Sequence, residues 1–170
     1  MNDKPACLFV GRFQPFHNGH LLVVEGMTKM CSRVVIAIGS AGEKETAENP
    51  FSVNERKEMI QRALQGKDII PKYDVEFVEV PDMASDADWT KHVLEKSGNV
   101  HKLWTGNPDT KKCFEGSGLE IQTIKEIPGI SGTDIRKSMK AGDDWKEKVP
   151  PEVASYMGEI GGVERVKKMD

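Results

Sequence analysis

Long apolar segments, a basic excess and clustered cysteines are all missing from this chain of 170 residues. No stretch is long and apolar enough to span a membrane, and Met1–Pro5 is too polar for a secretory signal. The net charge of -3 gives no general reason to expect DNA or RNA as a partner, although a small basic pocket remains compatible with it. A cytoplasmic protein without membrane or nucleic-acid partners is therefore expected.

Cysteine is scarce, with only Cys7, Cys31 and Cys113 in the whole chain. Their number is odd and their spacing matches no metal site, so we expect structural thiols that stay reduced in a cytoplasm. His17 and His20 could supply half of a zinc site, but no cluster of Cys or His completes it. No metal ligand is therefore assigned to the protein itself.

Strand-like and helix-like patterns alternate along the chain, whose 38% hydrophobic and 30% charged residues are ordinary for a globular protein. Short strands separated by helices predict an α/β fold, in which a parallel sheet is covered by helices on both faces. The length suits a single domain over residues 1–170, with a C-terminal helical segment from about residue 151. The predicted strands are Ala6–Val10, Val34–Ile38, Val75–Val80, Lys102–Trp104 and Leu119–Thr123. The predicted helices are Gly19–Met30, Val53–Leu64, Asp88–Glu95, Pro108–Glu115, residues 131–141 and Glu152–Glu159, with a basic tail after Gly161 and Gly162.

Local patterns add detail to two of these helices. The first has one apolar stripe at the spacing of a buried face, formed by Val23, Met27, Met30 and Cys31. Ser52 and Glu55 form the pattern of a capping box, which predicts where the second helix begins. The charged residues of the second helix, Glu55 among them, are otherwise expected on the solvated surface.

The segment Gly11–His20 reads GRFQPFHNGH and directly follows the first predicted strand. A buried strand that ends in a glycine turn, with a helix opening at Asn18 or Gly19, has the shape of a phosphate site. The start of a helix offers unpaired backbone N–H groups and a positive dipole end, and both attract polyanions. Because His17 and His20 are three positions apart, they can hold one phosphate chain from the same side.

A second segment, Ile130–Arg136, reads ISGTDIR and opens a late helix that carries Arg136. In a parallel sheet the loops that follow the strands meet at the carboxyl edge, so both helix starts are expected to face one cleft. Each segment alone has a plainer interpretation, as a pair of helix-face histidines or as an ordinary helix cap. Together they predict a nucleotide site, and the missing G-x-G-x-x-G pattern argues against a dehydrogenase.

GRFQPFHNGH and ISGTDIR resemble the two signatures of the nucleotidylyltransferase superfamily, whose core is similar to that of class I aminoacyl-tRNA synthetases. The chain is most similar to the archaeal-type nicotinamide mononucleotide adenylyltransferases. This resemblance covers nearly the whole chain, through Ile38–Ala41, Asn49–Arg56, Pro81 and Asp82 with Trp89, Thr105–Pro108 and the WKEKVP and GGVER segments. It implies a Rossmann-like fold and transfer of an adenylyl group from ATP to nicotinamide mononucleotide, giving NAD and pyrophosphate. It also implies Mg²⁺ held mainly by the triphosphate, and a homo-oligomer, with hexamers common in the family.

The resemblance further implies roles for individual residues. Catalysis is assigned to His17, His20 and Arg136. ATP binding is assigned to Gly11, Phe13, Gln14, Gly19, Gly106, Asn107, Ser131, Gly132 and Thr133. Binding of the acceptor nucleotide is assigned to Arg12, Asp82, Asp86 and Trp89. Plainer alternatives are a surface ion pair for Arg12, a turn cap for Asp82, a tight turn for Gly106 and Asn107, and a core position for Trp89.

Two loops depart from the pattern of the family. Gly42–Thr46 replaces a segment that often carries Gln and His, and Asp86 replaces an Asn near the carboxamide of the substrate. A carboxylate accepts from an amide and repels an acid, so Asp86 in the pocket would favour nicotinamide over nicotinate mononucleotide. Two alternatives stay open. One is an adenylyl- or cytidylyltransferase acting on FMN, phosphopantetheine or a polyol phosphate, and the other is a non-catalytic nucleotide sensor. A sensor would be expected to lose a histidine or Arg136. A tRNA synthetase is disfavoured because the chain has no room for a tRNA-binding domain.

Overall fold

The computed structural model describes residues 3–169 of the chain. Met1 and Asn2, which open the segment judged too polar for a signal sequence, lie outside the described residues, as does Asp170. Among residues 3–169, no helix has the length and apolar character needed to cross a membrane.

Five short strands form one parallel sheet with the order β3-β2-β1-β4-β5. They are β1 (Ala6–Gly11), β2 (Arg33–Ile38), β3 (Val75–Glu79), β4 (Lys102–Thr105) and β5 (Glu120–Thr123). All five predicted strands are present, with ends shifted by a residue or so. The central strand β1 pairs with β2 on one side and with β4 on the other. The loop that follows β1 therefore emerges between the ends of two neighbouring strands.

Helices cover both faces of the sheet, which confirms the predicted α/β class. They are α1 (Asn18–Met30), α2 (Val53–Gly66), α3 (Asp86–Ser97), α4 (Pro108–Phe114), α5 (Gly132–Ala141), α6 (Pro151–Glu159) and α7 (Gly162–Lys168), with a 3₁₀ turn at Lys146–Lys148. One apolar core lies between the sheet and α1, α2, α5, α6 and α7. A second core lies between the opposite face and helices α3 and α4.

Polar side chains determine where helices α2 and α5 begin. Ser52 accepts from the backbone N–H of Glu55, whose carboxylate accepts from the N–H of Ser52, so the predicted capping box of α2 is present. Ser131 caps α5 by accepting from the N–H of Asp134 at 3.1 Å. Both helices thus begin at positions that their sequences specify.

The predicted buried face of α1 and the predicted basic tail were partly wrong. Met27 and Cys31 are buried, but Met30 is 52% exposed, and the stripe that faces the core also contains Leu21 and Val24. Compared with the prediction, α1 is rotated about its own axis. The face that carries Val23 borders a cleft. The tail after Gly161 is the short helix α7, which docks through the buried Val166.

The expectation of separate, reduced cysteines was also wrong. Cys7 on β1 and Cys31 at the end of α1 form a disulfide, and Cys113 is the free cysteine. The helix after β1 runs back along the sheet, so its last residue returns to the edge where the strand begins. Cys7 is fully buried and Cys31 is 7% exposed, so solvent reaches this pair poorly.

We predict that the purified protein, unfolded in guanidinium without reductant, releases one thiol per chain to a colorimetric thiol reagent. Reduction with dithiothreitol in the unfolded state, followed by removal of the reductant, should raise this number to three, since Cys7 and Cys31 are then released. Three thiols without reductant would show that the disulfide does not form.

Candidate active site

A cleft of about 530 Å³ opens at the carboxyl edge of the sheet, beside the starts of α1 and α5. Its wall contains every residue that the sequence assigned to catalysis or to ATP, together with Arg12 from the acceptor set. These residues are Gly11, Arg12, Phe13, Gln14, His17, Gly19, His20, Gly106, Asn107, Ser131, Gly132, Thr133 and Arg136. Segments separated by more than a hundred residues in sequence therefore meet in one site.

His17 is the N-cap of α1, a place usually taken by a smaller polar residue. Its Nδ1 accepts from the backbone N–H groups of Gly19 and His20, at 3.1 and 3.3 Å. A Cβ on Gly19 would lie 3.0 Å from Cε1 of the His17 ring, so glycine lets the imidazole fold over the helix start. The sequence analysis predicted free backbone N–H groups at this helix start as donors to an anion. In the structure, the N–H groups of Gly19 and His20 already donate to His17.

His20 completes a capping box made of two histidines. Its Nδ1 accepts from the backbone N–H of His17 at 3.1 Å, and the two rings stack with centroids 3.5 Å apart. Phe13 contacts the ring of His20 edge-on at 4.8 Å, and Phe16 stacks on it at 5.4 Å. Packing on several sides leaves the imidazole of His20 little freedom to rotate.

Both imidazoles are held neutral with the proton on Nε2. Burial lowers the pKa of His17 from 6.5 to about 4. Burial, and then the neighbouring His17, lower the pKa of His20 well below its ordinary value. Since each Nδ1 accepts backbone hydrogens, the single ring proton occupies Nε2. The pair can thus donate two hydrogen bonds to an anion without carrying charge.

Arg136 is the fifth residue of α5, and it lines the same cleft as the two histidines. Its Nη1 donates to the backbone carbonyl of Gln14 at 2.8 Å, which ties α5 to the loop between β1 and α1. A Cβ on Gly132 would lie 3.0 Å from Nη1 of Arg136 and 3.2 Å from that carbonyl oxygen. The glycine of the ISGTDIR segment therefore makes room for this hydrogen bond.

The charged side chains on the wall of the cleft are mostly cationic. Arg12, Lys125 and Arg136 carry positive charge, and Glu126 is the one carboxylate among the lining residues that the structure describes. Burial, followed by repulsion from Arg12, lowers the pKa of Arg136, and Glu48 opposes this effect. A chain with a net charge of -3 thus presents a basic cleft that suits a polyphosphate.

The sequence assigned no role to Arg56, whose guanidinium organises the carboxyl edge of the sheet. Arg56 is fully buried, and it donates to the carbonyls of Arg12, Gly39 and Ser40 at 2.7 to 3.0 Å. Burial lowers its pKa to about 10, which leaves it charged at neutral pH. A signal for this role was available, because Arg56 falls on the same helical stripe as the buried Met59.

The other three residues predicted to bind the acceptor nucleotide are not among those that line the cleft. Asp82 follows β3 and accepts from the hydroxyl of Ser40 at 2.8 Å, so it is anchored near the end of β2. Trp89 on α3 packs edge-on against Phe114 with centroids 5.8 Å apart, and it is partly buried. Asp86 is exposed in the first turn of α3, where its negative charge suits the positive end of the helix.

Asn107 and Gln14 use their side chains within the protein. Oδ1 of Asn107 accepts from the N–H of Asp109 at 2.8 Å and so caps α4. The side chain of Gln14 is buried and pairs with the backbone of Phe51. Gly106 has no side chain, and a Cβ there would lie 3.0 Å from the carbonyl oxygen of Ile124. These residues shape the wall more than they offer groups to a ligand.

We predict that the nucleotide-free protein loses stability as the pH falls from 6.5 towards 4. The folded-state pKa of His17 is depressed to about 4, so in this window the unfolded chain binds a proton that the folded chain does not. The contribution of this histidine is complete above its unfolded pKa of 6.5 and decreases as the pH falls towards 4. The lowered pKa of His20 acts in the same direction.

Urea titrations at a series of pH values measure this effect as the free energy of unfolding. His17→Asn is the matched variant, because asparagine also caps helices but does not titrate. Its unfolding free energy should fall less steeply with acid than that of the wild type. Identical slopes would show that His17 is not held neutral in the folded state.

Known proteins are similar to this chain over most of its length. A cytidylyltransferase-like family model matches residues 8–138. Nicotinamide-nucleotide adenylyltransferase from Thermococcus onnurineus is 38% identical over 164 residues, covering 95% of this chain and 87% of the relative. The protein of the same name from Methanocorpusculum labreanum is 38% identical over 166 residues, covering 95% of both chains.

Solved structures show the same fold. A bifunctional NMN adenylyltransferase/ADP-ribose pyrophosphatase from Francisella tularensis, complexed with AMP and a manganese ion, superposes with a TM-score of 0.81 at 21% identity. The match covers 96% of this chain and 52% of that one, so the chain spans about half of the bifunctional protein. From the family model and the curated relatives together, the chain belongs to the cytidylyltransferase-like nucleotidylyltransferases and, within them, to the nicotinamide-nucleotide adenylyltransferase family.

Proposed function

We propose that the protein transfers the adenylyl group of ATP to nicotinamide mononucleotide and releases pyrophosphate. A phosphate oxygen of the mononucleotide forms a bond to the α-phosphorus of ATP, and the bond from that phosphorus to the bridging oxygen of pyrophosphate breaks. The product is NAD. Because a phosphate monoester is largely ionised at neutral pH, the nucleophile needs no general base.

One observation carries this proposal: two neutral histidine donors at the start of α1 share a cleft with Arg136 at the start of α5. Transfer of an adenylyl group builds charge on the oxygens around the α-phosphorus and on the departing pyrophosphate. Catalysis then consists of positioning and of stabilising that charge with fixed donors. His17 and His20 supply Nε2–H donors, and Arg136 supplies a planar cation that can bind two phosphate oxygens.

The lining of the cleft is compatible with Mg²⁺ that the triphosphate itself carries. Among residues 3–169, no group of three His, Cys, Asp or Glu side chains could hold a metal ion. Mg²⁺ usually keeps several waters and binds substrate phosphates, so a protein cage is not required. When bound, the ion would neutralise part of the triphosphate charge, while Arg136 and Lys125 approach the remaining oxygens.

The acceptor is proposed to bind on the β2 and β3 side of the site. Arg12 extends across Gly39, whose added Cβ would lie 3.9 Å from Cγ of Arg12, and it can meet the phosphate of the mononucleotide. Asp82 is anchored next to this point through Ser40. Trp89 and Asp86 at the start of α3 are proposed to contact the nicotinamide ring and its carboxamide. In this arrangement the acceptor phosphate points towards the triphosphate site.

We further propose that the whole chain acts as one domain. It is also proposed to assemble into a homo-oligomer, with a hexamer as the expected size. Its proposed location is the cytoplasm, where ATP is available. Helices α6 and α7 support the first point, since Val153, Met157 and Val166 complete the same core as α1. Light scattering coupled to gel filtration would measure the assembly directly.

The decisive experiment is an assay of pyrophosphate release from each of the four common nucleoside triphosphates against a panel of phosphate monoesters. The panel contains nicotinamide and nicotinate mononucleotides, FMN, phosphopantetheine and a polyol phosphate. The proposal expects the highest catalytic efficiency with ATP and nicotinamide mononucleotide. Efficient turnover of another monoester, with none of nicotinamide mononucleotide, would replace the NAD assignment and leave nucleotidyl transfer in place.

We predict that His20→Asn lowers kcat by about 10²–10³, as the loss of one transition-state donor does in comparable sites. Asparagine can still accept from the backbone N–H of His17, but it lacks the Nε2–H donor. His101→Asn is the control, because Nδ1 of His101 also accepts a backbone hydrogen, from Ala6, at the start of β1. Equal turnover of the His20 variant and the wild type would remove His20 from the mechanism.

A separate prediction concerns the acceptor. Trp89→Ala should raise KM for nicotinamide mononucleotide much more than KM for ATP, because a cationic pyridinium stacks well on an indole. Trp89→Phe retains a flat ring and the contact with Phe114, so its effect should be smaller. Asp86→Asn should narrow the preference for the amide over the acid mononucleotide. Parallel increases in both KM values in Trp89→Ala would place Trp89 in the scaffold.

A further inference from the structure

The last helix of the chain reaches the loop before α2 through one arginine. Arg165 on α7 makes two hydrogen bonds to the carboxylate of Glu55, at 2.6 and 2.9 Å, and a third to the carbonyl of Pro50 at 3.2 Å. Its guanidinium also lies over the ring of Phe51, 5.8 Å from the centroid. The side chains of Arg165 and Glu55 are only 22% and 19% exposed. Glu55 is thus part of a fixed contact, contrary to the expectation of a solvated surface charge.

The position of Phe51 determines that of Gln14. The side-chain amide of Gln14 donates to the carbonyl of Phe51 at 2.9 Å and accepts from its N–H at 3.0 Å. Gln14 is 3% exposed and the ring of Phe51 is fully buried, so water does not compete for these bonds. A displaced Phe51 would leave both ends of a buried amide without partners, which is costly.

The backbone of Gln14 in turn holds Arg136. Its carbonyl accepts from Nη1 of Arg136 at 2.8 Å, and Gly132 gives this contact its space. A continuous series of contacts therefore runs from Arg165 through Pro50 and Phe51 to Gln14, and ends at a cation of the cleft. Arg165 itself does not line the cleft.

We propose that Arg165 is a positioning residue for Arg136, acting through Phe51 and Gln14. This inference rests on the proposed function only in that it assigns Arg136 to the triphosphate of ATP. Reactions that depend on orientation are sensitive to small displacements, and a shift of about 1 Å can cost on the order of 100-fold in rate. Loss of the Arg165 contacts should therefore weaken nucleotide binding and catalysis by about tenfold or more.

The chain contains a matched control for this ion pair. Arg33 makes the same kind of two-bond contact with Glu76, at 2.8 and 3.0 Å, and also donates to the carbonyls of Ser97 and Asn99. It stands at the start of β2, on the edge of the sheet opposite the cleft. Arg33→Met removes a comparable ion pair without disturbing Phe51 or Gln14, so ATP binding should be unchanged.

The test is a double-mutant cycle on ATP affinity, measured by calorimetry with the full-length protein, and on kcat/KM. Arg165→Met and Arg136→Lys are made singly and together. If Arg165 acts through Arg136, Arg165→Met should weaken ATP binding about tenfold in the wild-type background and have little further effect in the Arg136→Lys background. KM for the acceptor should change less than the affinity for ATP.

Two results would overturn the proposal: additive losses in the cycle, or a loss in Arg165→Met no larger than that in Arg33→Met. If Arg165→Met does not fold, Arg165→Lys takes its place, because lysine keeps the charge but cannot form both bonds to Glu55. ATP binding does not require the acceptor to be known. Failure to form NAD would therefore refute the proposed function separately from the role of Arg165.

Discussion

The buried cation of Arg56 is the interaction on which the cleft depends. Its guanidinium donates to the carbonyls of Arg12, Gly39 and Ser40, which follow β1 and β2. Its Nε also donates to the carbonyl of Ser52, the N-cap of α2, at 3.2 Å. Without this cation several carbonyls would be buried unpaired, at about 1–3 kcal/mol each. The loop that carries Arg12 and Phe13 into the cleft is therefore set by a charge outside the cleft.

In this cleft the histidines serve as neutral hydrogen-bond donors, and other side chains supply the positive charge. Protonating Nδ1 of His17 would break two backbone hydrogen bonds at the start of α1, so this histidine serves best as a neutral donor. Positive charge comes instead from Arg12, Arg136 and Lys125, whose side chains line the same cleft. The resting site thus avoids placing two stacked imidazolium ions 3.5 Å apart.

Periodicity and capping patterns predicted the strands, the fold class and most helix starts, because these depend on neighbours in the sequence. The two histidines and Arg136 could be predicted as one site because parallel strands bring their loops to one edge. The partnership of Gln14 with Phe51 could not, since it joins positions 37 residues apart without periodicity. The short, polar helix α7 was missed because it is recognisable only once Val166 and Arg165 have docked. The pairing of Cys7 with Cys31 was within reach, since a helix that follows a strand returns to the edge where that strand began.

That disulfide limits where the protein can adapt to its ligands. Cys7 and Cys31 are 24 positions apart, and the segment between them contains both histidines and the whole of α1. The disulfide fixes the β1–α1 unit, residues 7–31, at the amino edge of the sheet. At the carboxyl edge, the stacked imidazoles and their hydrogen bonds to the backbone fix the same unit. The opposite wall, residues 124–131, is an irregular connection between β5 and α5 with exposed glycine and proline. We therefore expect residues 124–131 to move when a nucleotide enters the cleft and when the larger product leaves it. The β1–α1 unit should stay rigid during both steps.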